Sequence, residues 1–210
     1  MATFDEFYRS LPEDSNKRGE YFEKVFIPWF LKTDPVWSSK VNQVWLWDDY
    51  PHRWGRDCGI DLVYEDAEGK HWAIQSKCVA PDREISKAEI DSFLSESSDS
   101  RIHGRLLIAS TDGIGKNADQ VMERQEKKVV RLLLEHFRQS EVDFPTSPED
   151  LSTGQRKEKR TPRPHQLEAI NNVVEGLGWS IYRIWSTDWF RDPKGELQRL
   201  DVQIKELVRS

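Results

Sequence analysis

Three polar side chains interrupt two otherwise apolar runs: Asp61 in GIDLV (59–63), and Gln75 and Lys77 in IQSKC (74–78). Burying such groups is costly unless they are paired or bind something. The segments 59–66 and 71–79 flank a polar turn, AEGK, and read as a β-hairpin. Strand side chains alternate faces. If the turn centres near Glu68, Asp61 lies opposite Gln75, and Asp61, Gln75 and Lys77 point the same way. A slip of one residue would break this agreement and the match of the apolar faces together. An acid, an amide and a lysine suit phosphodiester hydrolysis. Mg²⁺ takes oxygen ligands, one or two from protein and the rest from water and phosphate. Asp61 offers a carboxylate, Gln75 an amide oxygen, and the carbonyl of Ser76 a possible third ligand. Lys77 would orient water and offset charge developing on phosphate. Taken alone, however, an Asp and a Lys in a hairpin are most often a cross-strand ion pair.

Around the hairpin the pattern is α/β. NKRGEYFEKVFIPWFLKT (16–33) spaces Tyr21, Phe22, Val25, Phe26, Trp29 and Phe30 as an amphipathic helix, with Pro28 set to kink or shorten it. VNQVWLWDD (41–49) reads as a strand, ISKAEIDSFLSES (85–97) as a helix and RLLIAST (105–111) as a buried strand. A long helical pattern runs from 116 to 138. The order implies a mixed sheet, with 71–79 and 105–111 joined in parallel by a right-handed crossover. The expected domains are a core over 1–139, a linker or surface-hugging loop over 140–164, and a helix–strand–helix over 165–210 packing on the core.

The chain has 210 residues, 37% hydrophobic, with nine Trp, enough for a core despite 32% charged residues. A net charge of −6 gives no global attraction to nucleic acid, so DNA binding would need a local basic patch or metal ions. Two cysteines, the absence of a signal-peptide pattern in MATFDEFYRS and the absence of an apolar run near the roughly 20 residues of a membrane span point to a reducing cytoplasm and no membrane partner. Cys58 and Cys78 are read as free thiols, and the Trp cluster of Trp29, Trp37, Trp45 and Trp47 as core. STDGIGKN (110–117) lacks the first Gly of a phosphate-binding loop and has Asn117 where Ser or Thr would hold Mg²⁺, so no ATP site is expected. Arg53, Arg56 and Lys87 flank the hairpin as candidate phosphate contacts. The run RKEKR (156–160) reads as solvated linker charge.

The hairpin pattern, an Asp, then an acid or Gln, any residue and Lys on the next strand, resembles the PD-(D/E)XK nucleases, and GID with IQSK resembles their Mrr-like branch. GEYFEKVF, VWLWDDYPHRWGRDCGIDLVYEDAEGKHWAIQSKC, KAEIDSFLSESS and RLLIASTDGIGKNA, in that order, resemble the N-terminal nuclease region of type ISP restriction-modification enzymes and related predicted helicases, over roughly residues 17–150. The resemblance implies a three-layer restriction-endonuclease-like fold and a Mg²⁺-dependent DNA endonuclease of restriction or anti-phage defence, with Mn²⁺ able to substitute. It implies that Asp61 and Gln75 bind the metal and that Lys77 is the catalytic lysine. Glu23, in Gly19–Glu23, would be a further metal or water contact, with Glu20 one turn away as a substitute. Gln75 removes one negative charge from the site, which leaves open a catalytically inactive DNA-binding or assembly module on the same fold. TPRPHQLEAINNVVEGL (161–177) resembles the opening of a helicase motor, and GWSIYRIWSTDWFRDP (178–193) the closing strand of Vsr-like nuclease ends. Expected partners are DNA, separate helicase or methyltransferase subunits, and a second copy of the chain on DNA.

Overall fold

The computed structural model describes residues 2–55 and 59–153. The chain divides into two compact units, Met1–Arg156 and Lys157–Ser210. All the described residues belong to the first. Arg56, Cys58, the basic run 156–160 and the expected C-terminal helix–strand–helix lie outside them. No helix among the described residues is long and apolar enough to cross a membrane.

Five strands form one mixed sheet in the order β1-β2-β3-β4-β5: β1 Val41–Leu46, β2 Leu62–Asp66, β3 His71–Lys77, β4 Gly104–Ala109 and β5 Val129–Leu132. β1, β2 and β3 are antiparallel, and β3, β4 and β5 are parallel. The helices are α1 Phe4–Ser10, α2 Ser15–Tyr21, α3 Ile27–Thr33, α4 Asp91–Glu96, α5 Lys116–Glu123 and α6 Leu134–Gln139. Alternation along the strands divides the core between two faces. Leu62, Tyr64, Trp72, Ile74, Leu106 and Ile108 pack with Phe4, Phe22, Phe26 and Phe30 of the N-terminal helices and Phe137 of α6. Val63, Ala73, Leu107 and Ala109 pack with Phe93 and Leu94 of α4 and Ala118 and Met122 of α5. The result is a helix–sheet–helix sandwich. Trp37 and Trp47 are buried in it, while Trp29 and Trp45 pack partly buried against it.

The hairpin register is the one the turn dictates, Leu62↔Ile74, Tyr64↔Trp72 and Glu65↔His71. Gly69 supplies the positive φ of the turn, +76°, and the Asp66 carboxylate accepts from the N–H groups of Glu68 and Lys70 and from Trp72 Nε1. Pro28 neither breaks nor ends its helix. The helix runs on through a π-helical turn, Phe22–Phe26, in which Ile27 N–H reaches back to the carbonyl of Phe22. The wider turn makes room for a ring that would otherwise press on the preceding turn.

The helical pattern over 116–138 is corrected by the structure: α5 ends at Glu123, the edge strand β5 follows, and α6 starts at Leu134. Val129 and Val130 are β-branched and pair with Arg105 and Leu106, so a neighbouring strand overrides a spacing that also fits a helix. Arg105 pins this junction. Although buried, it donates Nε to Ser97 Oγ, one terminal nitrogen to Leu94 O, and the other to Gln125 Oε1 and Lys127 O. Of the segment 140–164, the described part carries Val142, Phe144 and Leu151 into the core, and Phe144 bridges to Ala2.

Gly59 has φ +68°, and a Cβ there would lie 2.5 Å from Ser92 Oγ and 3.1 Å from Phe93 N. Gly59→Ala is expected to cost about 2–4 kcal/mol, from left-handed strain plus overpacking on α4, read as a lowered midpoint of urea unfolding.

Candidate active site at the end of the hairpin

β2 begins in an irregularity that aims Asp61. Its carbonyl accepts from Trp47 N at 2.9 Å, continuing the pairing with β1. Its N–H, however, donates to the carbonyl of Ile74 at 2.9 Å, and Ile74 is already the partner of Leu62. Two residues thus face one, as in a β-bulge, the device that re-aims a side chain near functional sites. The expected pairing of Asp61 with Gln75 therefore stops at Leu62. Asp61 is instead turned onto the edge of β3, where the ladder has run out.

The N–H of Ser76 would be the next ladder donor toward β2, and the Asp61 carboxylate takes it. Asp61 Oδ2 accepts from Ser76 N at 2.6 Å, Ser76 Oγ at 2.9 Å and Gln75 Nε2 at 2.8 Å. Gln75 and Ser76 belong to opposite faces of β3, so the carboxylate sits between the faces and gathers a donor from each. Gln75 is 3% exposed and Ser76 9%. By alternation the carbonyl of Ser76 points to the same edge, beside Asp61, whereas that of Lys77 turns to β4 and accepts from Ser110 N.

Glu23 sits on the π-helical turn. Its carboxyl is half-buried and is pushed up to about 7, first by burial and then by the negative charge of Asp61; Lys24 and Lys77 pull it back. Glu23, Asp61 and Lys77 therefore share one electrostatic environment. Lys77 is half-buried and, among the described residues, has no carboxylate within ion-pair distance. Its charge also reaches Glu89, whose carboxylate caps Ser86 N and pairs with Arg83 at 2.8 Å. Glu20 is committed to Lys24 at 2.9 Å. Sequence reasoning missed Glu89 and the Ser76 hydroxyl; the capping-box spacing Ser86 to Glu89 was the available signal for the first.

The outlying candidates sit as follows. Arg53 is exposed and paired with Asp48 at 2.9 Å, and Asp48 is also felt by Lys24, next to Glu23. Lys87 is exposed and holds Asp91 at 2.6 Å. Cys78 is a free thiol, pushed up to about 11 by burial, and packs on the Phe-rich core. A groove of about 620 Å³ lined by Pro12, Tyr21, Val25, Pro148 and Glu149 lies on a different face of the helix from Glu23 and includes none of the candidate residues.

No group of three His, Cys, Asp or Glu side chains arranged to hold a metal occurs among the described residues. The groups around Asp61 offer hard oxygen donors: its own carboxylate, the Ser76 carbonyl beside it and the amide oxygen of Gln75, with the Glu23 carboxyl close enough to sense its charge. Glu23 and Asp61 repel each other here, and a divalent cation would relieve that. The set fits Mg²⁺.

Without divalent cations Glu23 should make stability fall with rising pH. Its folded value lies above the unfolded 4.5, so the native state keeps a proton that the unfolded chain releases, and stability drops between pH 4.5 and about 7. Glu23→Gln removes the penalty. In chelator at about pH 8 the variant should be more stable than wild type by about 1–2 kcal/mol, half the nominal value because the carboxyl is half-exposed. Near pH 4.5, thermal melts of the two should coincide.

A mixed five-stranded sheet between helical layers, with an acid, an amide and a lysine at the hairpin's end, defines a restriction-endonuclease-like α/β domain. Residues 32–153 match the sequence model of the Mrr_cat_2 restriction endonuclease family, and the chain belongs to that family. The match contains Asp61, Gln75 and Lys77 but not Glu23. No curated protein sequence matches. Among solved structures the fold is similar to the ATP-dependent type ISP restriction-modification enzyme LlaBIII bound to DNA, with a TM-score of 0.63 and 24% identity over 85% of this chain. The chain spans 11% of that enzyme's length. MspJI restriction endonuclease in complex with a 27-mer oligonucleotide matches with a TM-score of 0.37 and 14% identity, over 80% of this chain and 33% of that one. The DNA modification-dependent restriction endonuclease AspBHI matches with a TM-score of 0.34 and 12% identity, over 84% and 43%.

Proposed function

We propose that the chain is a Mg²⁺-dependent DNA endonuclease of the PD-(D/E)XK type, serving restriction or anti-phage defence in the cytoplasm. The observation that carries this is the hydrogen-bonded meeting of Asp61, Gln75 and Ser76 at the end of β3, with Lys77 next on the same strand and Glu23 sensing the charges of Asp61 and Lys77, in a chain of a restriction endonuclease family. Asp61, the amide oxygen of Gln75 and the carbonyl of Ser76 would hold the cation, with Glu23 as a further ligand or water contact. When bound, the cation would supply charge stabilisation at phosphate and activation of water. Among the described residues Lys77 has no ion-pair partner to give up. It would hold the attacking water and donate to the phosphate oxygen as negative charge builds there. Exposed pairs such as Arg53–Asp48 and Lys87–Asp91 are worth about 0–1 kcal/mol, so DNA phosphates would displace their acids at little cost.

The rival reading, an inactive DNA-binding or assembly module, draws on Gln75. Its amide donates to Asp61, where an acid would have brought another charge. Cleavage of supercoiled plasmid in Mg²⁺ or Mn²⁺ by wild type, Lys77→Ala and Asp61→Asn separates the two readings. Wild-type cutting lost in both variants supports the enzyme, and equal behaviour of the three proteins rules it out. Separate helicase or methyltransferase subunits and a dimer on DNA belong to the same proposal. Sizing the protein with and without DNA tests the dimer.

A further inference from the structure

The three donors on Asp61 all reach the same oxygen. Oδ2 takes the Ser76 N–H, the Ser76 hydroxyl and the Gln75 amide, and no hydrogen bond to Oδ1 is made among the described residues. A carboxylate held in this way cannot turn. Its second oxygen carries none of these donors, and the charge of the carboxylate is felt by Glu23.

We infer that Ser76 is a positioning residue of the nuclease site: its hydroxyl locks Asp61 so that Oδ1 alone is presented to a divalent cation. This rests on the metal-binding reading of the site. The backbone N–H of Ser76 would be present with any residue at this position, so it cannot by itself choose the rotamer. The hydroxyl comes from the opposite face to Gln75, and together the two fix the plane of the carboxylate. The same arrangement gives the neutral amide at 75 a positive role. A glutamate there could not donate at 2.8 Å and would set a like charge against Asp61. Gln75 and Ser76 thus form a matched pair of donors, one of them standing where an acid would otherwise be expected.

The test uses the full chain and Mg²⁺ alone. Calorimetric titration should show Ser76→Ala binding Mg²⁺ about 10–100-fold more weakly than wild type, the usual effect of removing a group that orients a ligand. Ser76→Thr, which keeps the hydroxyl, should recover most of that affinity, and Ser76→Cys, a weak donor of similar size, should not. In plasmid cleavage the same loss should appear as a raised Mg²⁺ requirement. Wild-type Mg²⁺ affinity in both Ser76→Ala and Ser76→Cys would overturn the assignment. If Asp61→Asn also binds Mg²⁺ as wild type does, the failure lies in the metal-binding reading beneath it. If Ser76→Ala is poorly folded, the contrast between the Thr and Cys variants decides the matter.

Discussion

Lys77→Ala is expected to cut plasmids about 10²–10³-fold more slowly than wild type at saturating Mg²⁺, the usual effect of removing one donor aimed at developing transition-state charge. The variant should be folded. Lys77 ends β3 half-buried, without an ion-pair partner among the described residues, so its loss orphans no acceptor. Binding of a DNA duplex, followed by anisotropy, should change far less than the rate, because one cation among several phosphate contacts contributes a modest, salt-dependent share. Lys77→Arg separates charge from geometry. The guanidinium restores the positive charge but replaces a compact ammonium with a planar fork. Binding should return and the rate should not. A Lys77→Ala enzyme within tenfold of wild type would leave Lys77 without a chemical role. The substitution has an electrostatic signature as well. Lys77 is one of the charges pulling Glu23 down, so its removal should move the Glu23 titration upward from about 7.

The hairpin was legible because its turn fixes everything that follows. Once Gly69 is placed in the turn, the register of Leu62–Glu65 against His71–Ile74 is forced by alternation. What alternation could not reveal was the point at which it ends. Asp61 shares the carbonyl of Ile74 with Leu62, so the candidate site's carboxylate is the first residue to leave the regular pattern. Ser76 was invisible as a side-chain partner for the same reason. On a regular strand it belongs to the opposite face from Gln75, and only a carboxylate on the strand edge can collect both.

Elsewhere the failures had different causes. α1 opens with Thr3 and Glu6 in a reciprocal capping box, a start signal the sequence carries with only a seven-residue helix, Phe4–Ser10, behind it. β5 is only four residues long and is defined by pairing to β4 and by Arg105 holding the loop before it, neither of which local spacing encodes. Glu23 could be reached only through the family's motif, because its relation to Asp61 is long-range and depends on a π-helical turn.

Asp61 offers the sharpest experiment, because two substitutions should separate its structural from its chemical duty. Asp61→Ala leaves the Ser76 N–H, the Ser76 hydroxyl and the Gln75 amide without their acceptor. Buried donors left unmade cost about 1–3 kcal/mol each, and with water entering at the strand end a total of about 2–4 kcal/mol is expected. For a domain of this size that is a fall in Tm on the order of 5–15 °C. Asp61→Asn can turn its amide oxygen to the same three donors and keep them satisfied, so its Tm should stay within a few degrees of wild type. Its NH₂ then stands where Oδ1 stood and directs N–H groups at the cation position. Asp61→Asn should therefore fold like wild type, fail to bind Mg²⁺, and lose cleavage by about three orders of magnitude or more, since metal charge stabilisation is worth several kcal/mol and each 1.4 is tenfold. Cleavage by Asp61→Asn within tenfold of wild type would show that the carboxylate serves only to terminate the strand, and the search for the cation's ligands would then move to Glu23.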